Sequence, residues 1–272
     1  MKLTGFFLAL ACVFLFIAQL SQSNFQFQFP SYDPIGEDKR KVEIYREMFE
    51  ELSWIKGDVD HSGSLRYNKK PSALSSIYLS LKFLDAMISG EYLDYLDLYV
   101  DEKESLRLSF NEFLDLHHRL ETMQSLSIFS KDEFKEILMY VLVLKEVESC
   151  EMFKERSWVY GTGSLREVVM MYQDVLPTLK TFSSEQKKFL QILLHGFQFE
   201  GLLENYRNNM AYNKEDTAAF TVENVEHFDL VLLLFICKMA GKYRNGEHFT
   251  SGYFSYLLDF GNDVITHLQS SA

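Results

Sequence analysis

The sequence predicts an all-α protein, built from a helix–loop–helix pair and a helical second half. Apolar residues recur at intervals of three and four along most of the chain, the spacing that places them on one face of a helix. The 272 residues include only four prolines and 13 glycines, the residues that interrupt helices most strongly. Alternation of apolar and polar residues, which is typical of strands, is confined to the segment around Phe25, Phe27 and Phe29.

Residues 1–23 have the three parts of a secretory signal peptide. Lys2 supplies a positive charge, the run from Phe6 to Leu20 is apolar, and small residues precede the expected cleavage after Ser23. This run of about 15 residues is shorter than the ~20 residues that a membrane-spanning helix needs. We therefore expect a protein that is secreted or stays in the lumen of the secretory pathway, with no stable membrane insertion.

Residues 24–36 follow as a predicted extended arm with Pro30 and Pro34. The arm is either a loosely docked tail or an aromatic segment that inserts into a groove or a partner. Residues 37–54 then show helical spacing of the apolar residues Val42, Tyr45, Met48, Phe49 and Leu52. Proline is favoured in the first turn of a helix, so a second helix is expected to open at Pro71 and to stop near Gly90. A third runs roughly over residues 91–99.

The segment between the first two helices, residues 58–65, reads Asp-Val-Asp-His-Ser-Gly-Ser-Leu. Oxygens at alternate positions of a tight loop can converge on one Ca²⁺ ion. Gly63 permits the sharp turn at the sixth position, and Leu65 is apolar at the eighth. This segment resembles the first eight positions of an EF-hand calcium loop. The candidate ligands in it are Asp58, Asp60, Ser62 and Ser64.

The rest of this loop departs from the family pattern. The twelfth position, where the family has a bidentate Glu, is Lys69, and Arg66 holds the ninth. Two carboxylates therefore face several positive charges. The resemblance implies a helix–loop–helix unit whose affinity for Ca²⁺ is weak or lost.

A second, partial match to the same loop covers residues 101–112. Its candidate ligands are Asp101, Ser105 and Glu112. Lys103 and Leu106 depart from the pattern at the third and sixth positions. The other interpretation is an acidic linker that ends in a helix capping box from Ser109 to Glu112, and the sequence leaves both open.

The resemblance further implies that the two loops form a pair within residues 37–125, joined through Leu65 and Leu108 at their eighth positions. Residues 126–272 are predicted to form a helical domain, and the sequence leaves open whether it is a decayed second EF-hand lobe or an unrelated helical domain. Two apolar runs, Ile137–Leu144 and Leu230–Cys237, are expected to be helices buried on all sides and packed near each other. Capping motifs also predict helix starts at Ser130 and Ser183.

The mature chain keeps two cysteines, Cys150 and Cys237. In an oxidising compartment such a pair is expected to form a disulfide. The alternative is two buried free thiols, because both cysteines adjoin apolar helices.

Composition and sequence motifs argue against several classes of function. A net charge of −12 is unsuited to nucleic-acid binding, because phosphates would be repelled. Motifs of hydrolases, nucleotide-binding proteins and zinc proteases are missing from the sequence, so no enzyme is predicted. His117 and His118 are adjacent on a predicted helix and point about 100° apart, so they are not expected to share a metal easily.

Two functions remain. The first is a secreted EF-hand-like module that binds Ca²⁺ weakly, or has kept only the fold and binds a protein partner through a helical groove. The alternative is a secreted helical carrier of a small apolar ligand or lipid.

Overall fold

Helices dominate the structure, so the all-α prediction is confirmed. The computed structural model describes residues 34–55, 73–97, 108–159, 161, 165–171, 173–196, 200–208, 210, 212, 225–242 and 251–270, and these contain no strand. Their α-helices are α1 Pro34–Met48, α2 Ala73–Ser89, α3 Tyr92–Asp97, α4 Phe110–Leu126, α5 Lys131–Val147, α6 Glu151–Trp158, α7 Leu165–Met171, α8 Ser184–Gly196, α9 Glu200–Arg207, α10 Val225–Lys242 and α11 Ser251–Ser270. Short 3₁₀ turns span Glu50–Trp54, Gln173–Val175 and Thr178–Thr181.

The first helix differs from its prediction at both ends. Helix α1 begins at Pro34, so residues 34–36, which were assigned to the extended arm, are helical. It ends at Met48, because Phe49 adopts an extended backbone with φ −130° and ψ 96° before the 3₁₀ turn 50–54. Phe49 is buried, and its ring stacks on that of Tyr140 at 5.6 Å between centroids. The predicted signal peptide and residues 24–33 of the arm lie outside the described residues.

Helix α2 lies at the centre of the packing. It contacts α3, α4, α5 and α10, and its side chains are buried on nearly every face. Its chain reverses at Gly90, where φ is +77°, as the predicted stop near that residue requires.

The closest of these contacts joins α2 to α10 through Gly241. A Cβ atom at Gly241 would lie 2.2 Å from the Ser76 carbonyl oxygen and 2.2 Å from the Ser80 Oγ. The two backbones therefore meet at a point where only a hydrogen fits.

The prediction that the two apolar runs lie in the core is confirmed. All eight residues of Ile137–Leu144 are buried in α5, and Leu230–Cys237 in α10 is buried except at Phe235, which is partly exposed. Both helices pack on α2 and contact each other. Residues on both sides of the predicted boundary at 125/126 thus contribute to one core, and Asp38–Ala272 form one compact unit.

The expected disulfide is wrong, because Cys150 and Cys237 are both free thiols. Cys237 is enclosed in the core within α10, whereas Cys150 lies at the junction of α5 and α6. There its sulfur contacts the Glu146 carbonyl oxygen at 3.8 Å. Contact between two helices does not bring every pair of their residues together. Burial raises the pKa of both thiols above the ordinary value.

Three predicted capping boxes are formed. The side chain and the backbone N–H of Ser109 pair with Glu112, and those of Ser130 pair with Glu133. Ser183 pairs in the same way with Gln186, whose Oε1 accepts from the Ser183 N–H at 2.7 Å. Each pair satisfies backbone donors that a helix start leaves open.

A buried carboxylate, that of Glu51, joins the 3₁₀ turn 50–54 to the second half of the chain. The Tyr140 hydroxyl donates to Glu51 Oε1 at 2.8 Å, and the Thr178 backbone N–H donates to the same oxygen at 3.0 Å. The Thr178 hydroxyl donates to Glu51 Oε2. A buried carboxylate is costly unless such donors surround it, so this group holds three segments in one arrangement.

Among the described helices, none is both long and apolar enough to cross a membrane.

We expect Glu51→Ala to lower the free energy of unfolding by roughly 2–5 kcal/mol, because each buried donor that loses its acceptor costs ~1–3 kcal/mol. Chemical denaturation of the full chain measures the change. The control is Glu50→Ala, the exposed neighbour, which should alter stability by no more than about 0.5 kcal/mol. Equal effects of the two substitutions would contradict this role of Glu51.

Gly241→Ala should lower the free energy of unfolding by about 1–3 kcal/mol, because the added methyl group forces α2 and α10 apart. The matched control is Gly252→Ala in α11, where the residue is exposed. That change should leave stability unchanged or raise it by up to ~1 kcal/mol, since alanine favours helices. A Gly241→Ala variant as stable as the wild type would show that the helices do not meet at this point.

Candidate functional sites

Most of the predicted calcium ligands lie outside the described residues: Asp58, Asp60, Ser62, Ser64, Asp101 and Ser105. The exception is Glu112, at the start of α4. The structure therefore shows the residues on either side of each predicted loop, and the calcium ligand sets stay predictions.

The segments on either side of the first loop contact each other. The ring of Tyr45 in α1 lies 6.0 Å from that of Tyr78 in α2, and its hydroxyl donates to Asp85 Oδ2 at 3.5 Å. Burial, followed by the nearby Asp85 carboxylate, raises the pKa of Tyr45. Lys135 of α5 forms an ion pair with the same carboxylate. Helices α1 and α2, which precede and follow residues 56–72 in the chain, thus contact each other through these side chains.

The approach to this loop is not one continuous helix. Helix α1 ends at Met48, and the 3₁₀ turn 50–54 with the extended residue Ile55 follows it. An EF-hand of the family pattern enters its loop directly from a helix. The chain departs from that pattern here because Phe49, Leu52 and Trp54 turn into the core.

The described part of the second predicted loop, residues 101–112, begins at Leu108, whose backbone is held by two tyrosines of α3. The Leu108 N–H donates to the Tyr95 hydroxyl at 2.7 Å, and the Tyr92 hydroxyl donates to the Leu108 carbonyl at 2.8 Å. Both backbone groups of this eighth position therefore have partners in the preceding helix. The predicted pairing of Leu108 with Leu65, which lies outside the described residues, stays a prediction.

Glu112 forms the capping box that the sequence offered as one of two interpretations. Its Oε2 accepts from the Ser109 N–H at 2.7 Å, and the Ser109 Oγ accepts from the Glu112 N–H at 3.3 Å. One carboxylate oxygen is therefore engaged at the start of α4. The role of Glu112 as a calcium ligand stays a prediction.

The geometric argument against a shared metal at His117 and His118 is wrong. Nitrogen atoms of both rings and an oxygen of Glu121 all lie within 4.8 Å of one another. The Cβ directions of adjacent helical residues do diverge, but the imidazoles extend far enough to converge on a residue one turn later. The spacing His-His-x-x-Glu on a helix is the signal that could have revealed this group.

A cleft of about 470 Å³ opens between α9 and α11, lined by Tyr206, Arg207, Tyr253 and Tyr256. The rings of Tyr206 and Tyr256 are 5.4 Å apart, and those of Tyr253 and Tyr256 are stacked at 6.1 Å. The Tyr256 hydroxyl is buried without a hydrogen-bond partner.

Carboxylates lie beside this cleft. Partial burial, then Asp259 and Asp263, raises the pKa of Tyr206. Asp263 also accepts a hydrogen bond of 2.6 Å from the Tyr212 hydroxyl. The cleft therefore combines aromatic walls, one guanidinium and nearby acids. No sequence motif marked it, because its residues come from two helices about 50 positions apart.

Comparison with known proteins finds no matching family model, no matching curated protein and no matching solved structure.

Proposed function

We propose that the protein is a secreted or luminal binding module that takes up Ca²⁺ weakly at residues 58–69 and acts through binding rather than catalysis. The observation that supports this most directly is the packing of α1 on α2 through Tyr45, Tyr78 and Asp85. The helices on either side of the loop are held together before any ion arrives. Binding therefore does not have to supply the free energy that closes the loop ends.

Weak binding follows from the charges of the loop. Asp58 and Asp60 supply two carboxylates, while Arg66 and Lys69 stand where the family places other ligands. Calcium sites of extracellular modules have dissociation constants of about 10⁻⁴–10⁻³ M and are filled at the calcium levels outside cells. Calcium at this loop then has a structural role rather than a signalling one.

A partner-binding role is the second part of the proposal. Large apolar residues are exposed at the end of α6, where Trp158 and Val159 are 81% and 82% exposed. Exposed apolar groups of this size favour contact with another protein when they cluster. Partner binding that survives the loss of Asp58 and Asp60 would assign the contact to the helices and not to the loop.

Calcium binding can be followed through Trp54, which is buried beside Ile55, the last described residue before the loop. The Arg156 guanidinium lies over its ring at 4.5 Å. In a Trp158→Phe background, Trp54 is the remaining tryptophan. We expect Ca²⁺ to change its emission with a midpoint of about 10⁻⁴–10⁻³ M. The double substitution Asp58→Ala/Asp60→Ala should abolish the response.

The matched control is Asp174→Ala/Glu155→Ala, which removes the same charge from exposed positions elsewhere. It should keep the response, because diffuse attraction of cations by an acidic surface does not depend on one loop. Absence of a wild-type response up to ~10 mM, well above the extracellular range, would contradict calcium binding. So would an unchanged response in the loop variant.

A second candidate function, transport of a small apolar ligand, is favoured by the cleft between α9 and α11. Its aromatic walls suit a flat apolar body, and Arg207 suits an anionic group. The dye 8-anilinonaphthalene-1-sulfonate combines a ring system with an anion and is a direct probe.

We expect the dye to bind the full chain, and Arg207→Ala to weaken binding about tenfold, the equivalent of ~1.5 kcal/mol for a charge-assisted hydrogen bond. Arg156→Ala removes an exposed arginine elsewhere and should leave dye affinity unchanged. Equal dye affinity in all variants would exclude this cleft as the binding site.

A further inference from the structure

The group His117, His118 and Glu121 in α4 places two ring nitrogens and one carboxylate oxygen within 4.8 Å of one another. His117 Nε2 lies 3.5 Å from Glu121 Oε2, and His118 Nδ1 lies 3.4 Å from the same oxygen. Zinc bonds to imidazole nitrogen and carboxylate oxygen are about 2.0–2.2 Å long, so neighbouring ligands of a tetrahedral ion stand roughly 3.3–3.5 Å apart. The two measured nitrogen–oxygen distances match this separation between ligand atoms.

The orientation of the His117 ring is set by a hydrogen bond on its far side. His117 Nδ1 lies 2.7 Å from the Met87 carbonyl oxygen at the end of α2. A carbonyl only accepts, so Nδ1 carries a hydrogen, and Nε2 is the ring nitrogen that is left to bind a metal ion on the side of Glu121. Metal-binding histidines are typically oriented by a hydrogen bond of this kind.

Gly90 leaves the space beside the metal-facing nitrogen open. A Cβ atom at this position would lie 2.8 Å from His117 Nε2 and 2.9 Å from Cε1. The turn also needs a φ of +77°, which glycine adopts without strain.

We propose that His117, His118 and Glu121 form a site for a divalent transition-metal ion, with Zn²⁺ as its occupant. Imidazole and carboxylate ligands together suit Zn²⁺, whereas Ca²⁺ prefers sites made of oxygen alone. Three protein ligands leave the fourth tetrahedral position for water or for a group from outside the chain. His118 and Glu121 are 68% and 55% exposed, so the open position faces solvent and the ion exchanges freely.

This site is independent of the calcium loop. Its ligands belong to a described helix and include no residue of 58–69 or of the second predicted loop. A direct test measures the ion itself, because three side chains can approach one another without an ion.

The test is titration of the chelator-treated full chain with zinc chloride by calorimetry, together with native mass spectrometry. We expect one zinc ion per chain. His118→Ala and Glu121→Gln should each weaken zinc binding at least tenfold, since even the loss of a hydrogen-bonded partner of a metal ligand costs ~10–100-fold. Both side chains are exposed, and circular dichroism checks that the helices are retained.

The matched controls are His267→Ala and Glu155→Gln, which change one histidine and one glutamate outside the group. Both should bind zinc as the wild type does, and so should Asp58→Ala/Asp60→Ala. Co²⁺ in place of Zn²⁺ should give the visible absorption of a tetrahedral site in the wild type and lose it in His118→Ala. Absence of stoichiometric zinc, or equal affinity in the wild type and both site variants, would overturn the proposal.

Discussion

The near-contact of α2 with α10 is the constraint on which the rest of the packing depends. Gly241 has no side chain, so the backbone of α10 reaches that of α2 at Ser76 and Ser80. Helix α10 therefore covers that side of α2 directly. Helices α3, α4 and α5 then cover its remaining faces. A helix that is apolar on nearly every face belongs at the centre of a core, and these four neighbours bury it there. The same arrangement places the end of α2 against α4, where Met87 and Gly90 meet His117.

The sequence predicted the features that depend on local chemistry. The caps at Ser109, Ser130 and Ser183 and the stop at Gly90 follow from hydrogen bonding and backbone freedom within a few residues, and the structure contains all four. The end of α1 was missed because a 3₁₀ turn has three residues per turn. The apolar spacing through residues 49–54 fits either form of helix. Only the burial of Phe49 against Tyr140 decides between them, and that is a long-range contact.

The same distinction between local and long-range contacts decides which candidate sites the sequence could reveal. Oxygens spaced within one loop are visible in a sequence, so residues 58–69 could be recognised as a calcium pattern. Convergence of side chains depends on rotamers and on distant partners. His117, for example, is oriented by a carbonyl 30 residues away. The backbone of Leu108 also has partners that the loop pattern does not reveal. Its N–H and carbonyl are hydrogen-bonded to the hydroxyls of Tyr95 and Tyr92, whereas the EF-hand pattern pairs them with a second loop. The thiols of Cys150 and Cys237 could not be assigned from the apolar character of their helices, which says nothing about distance.

The hydrogen bonds of Glu51 also bear on how the chain is made. Its partners are Tyr140 and Thr178, 89 and 127 residues further along. A ribosome adds residues from the N-terminus, so the carboxylate leaves the exit tunnel long before either donor exists. Until residue 178 has emerged, water is what solvates this acid, and the turn that carries it has no native place to dock. The N-terminal segment is therefore translated early but assembled late.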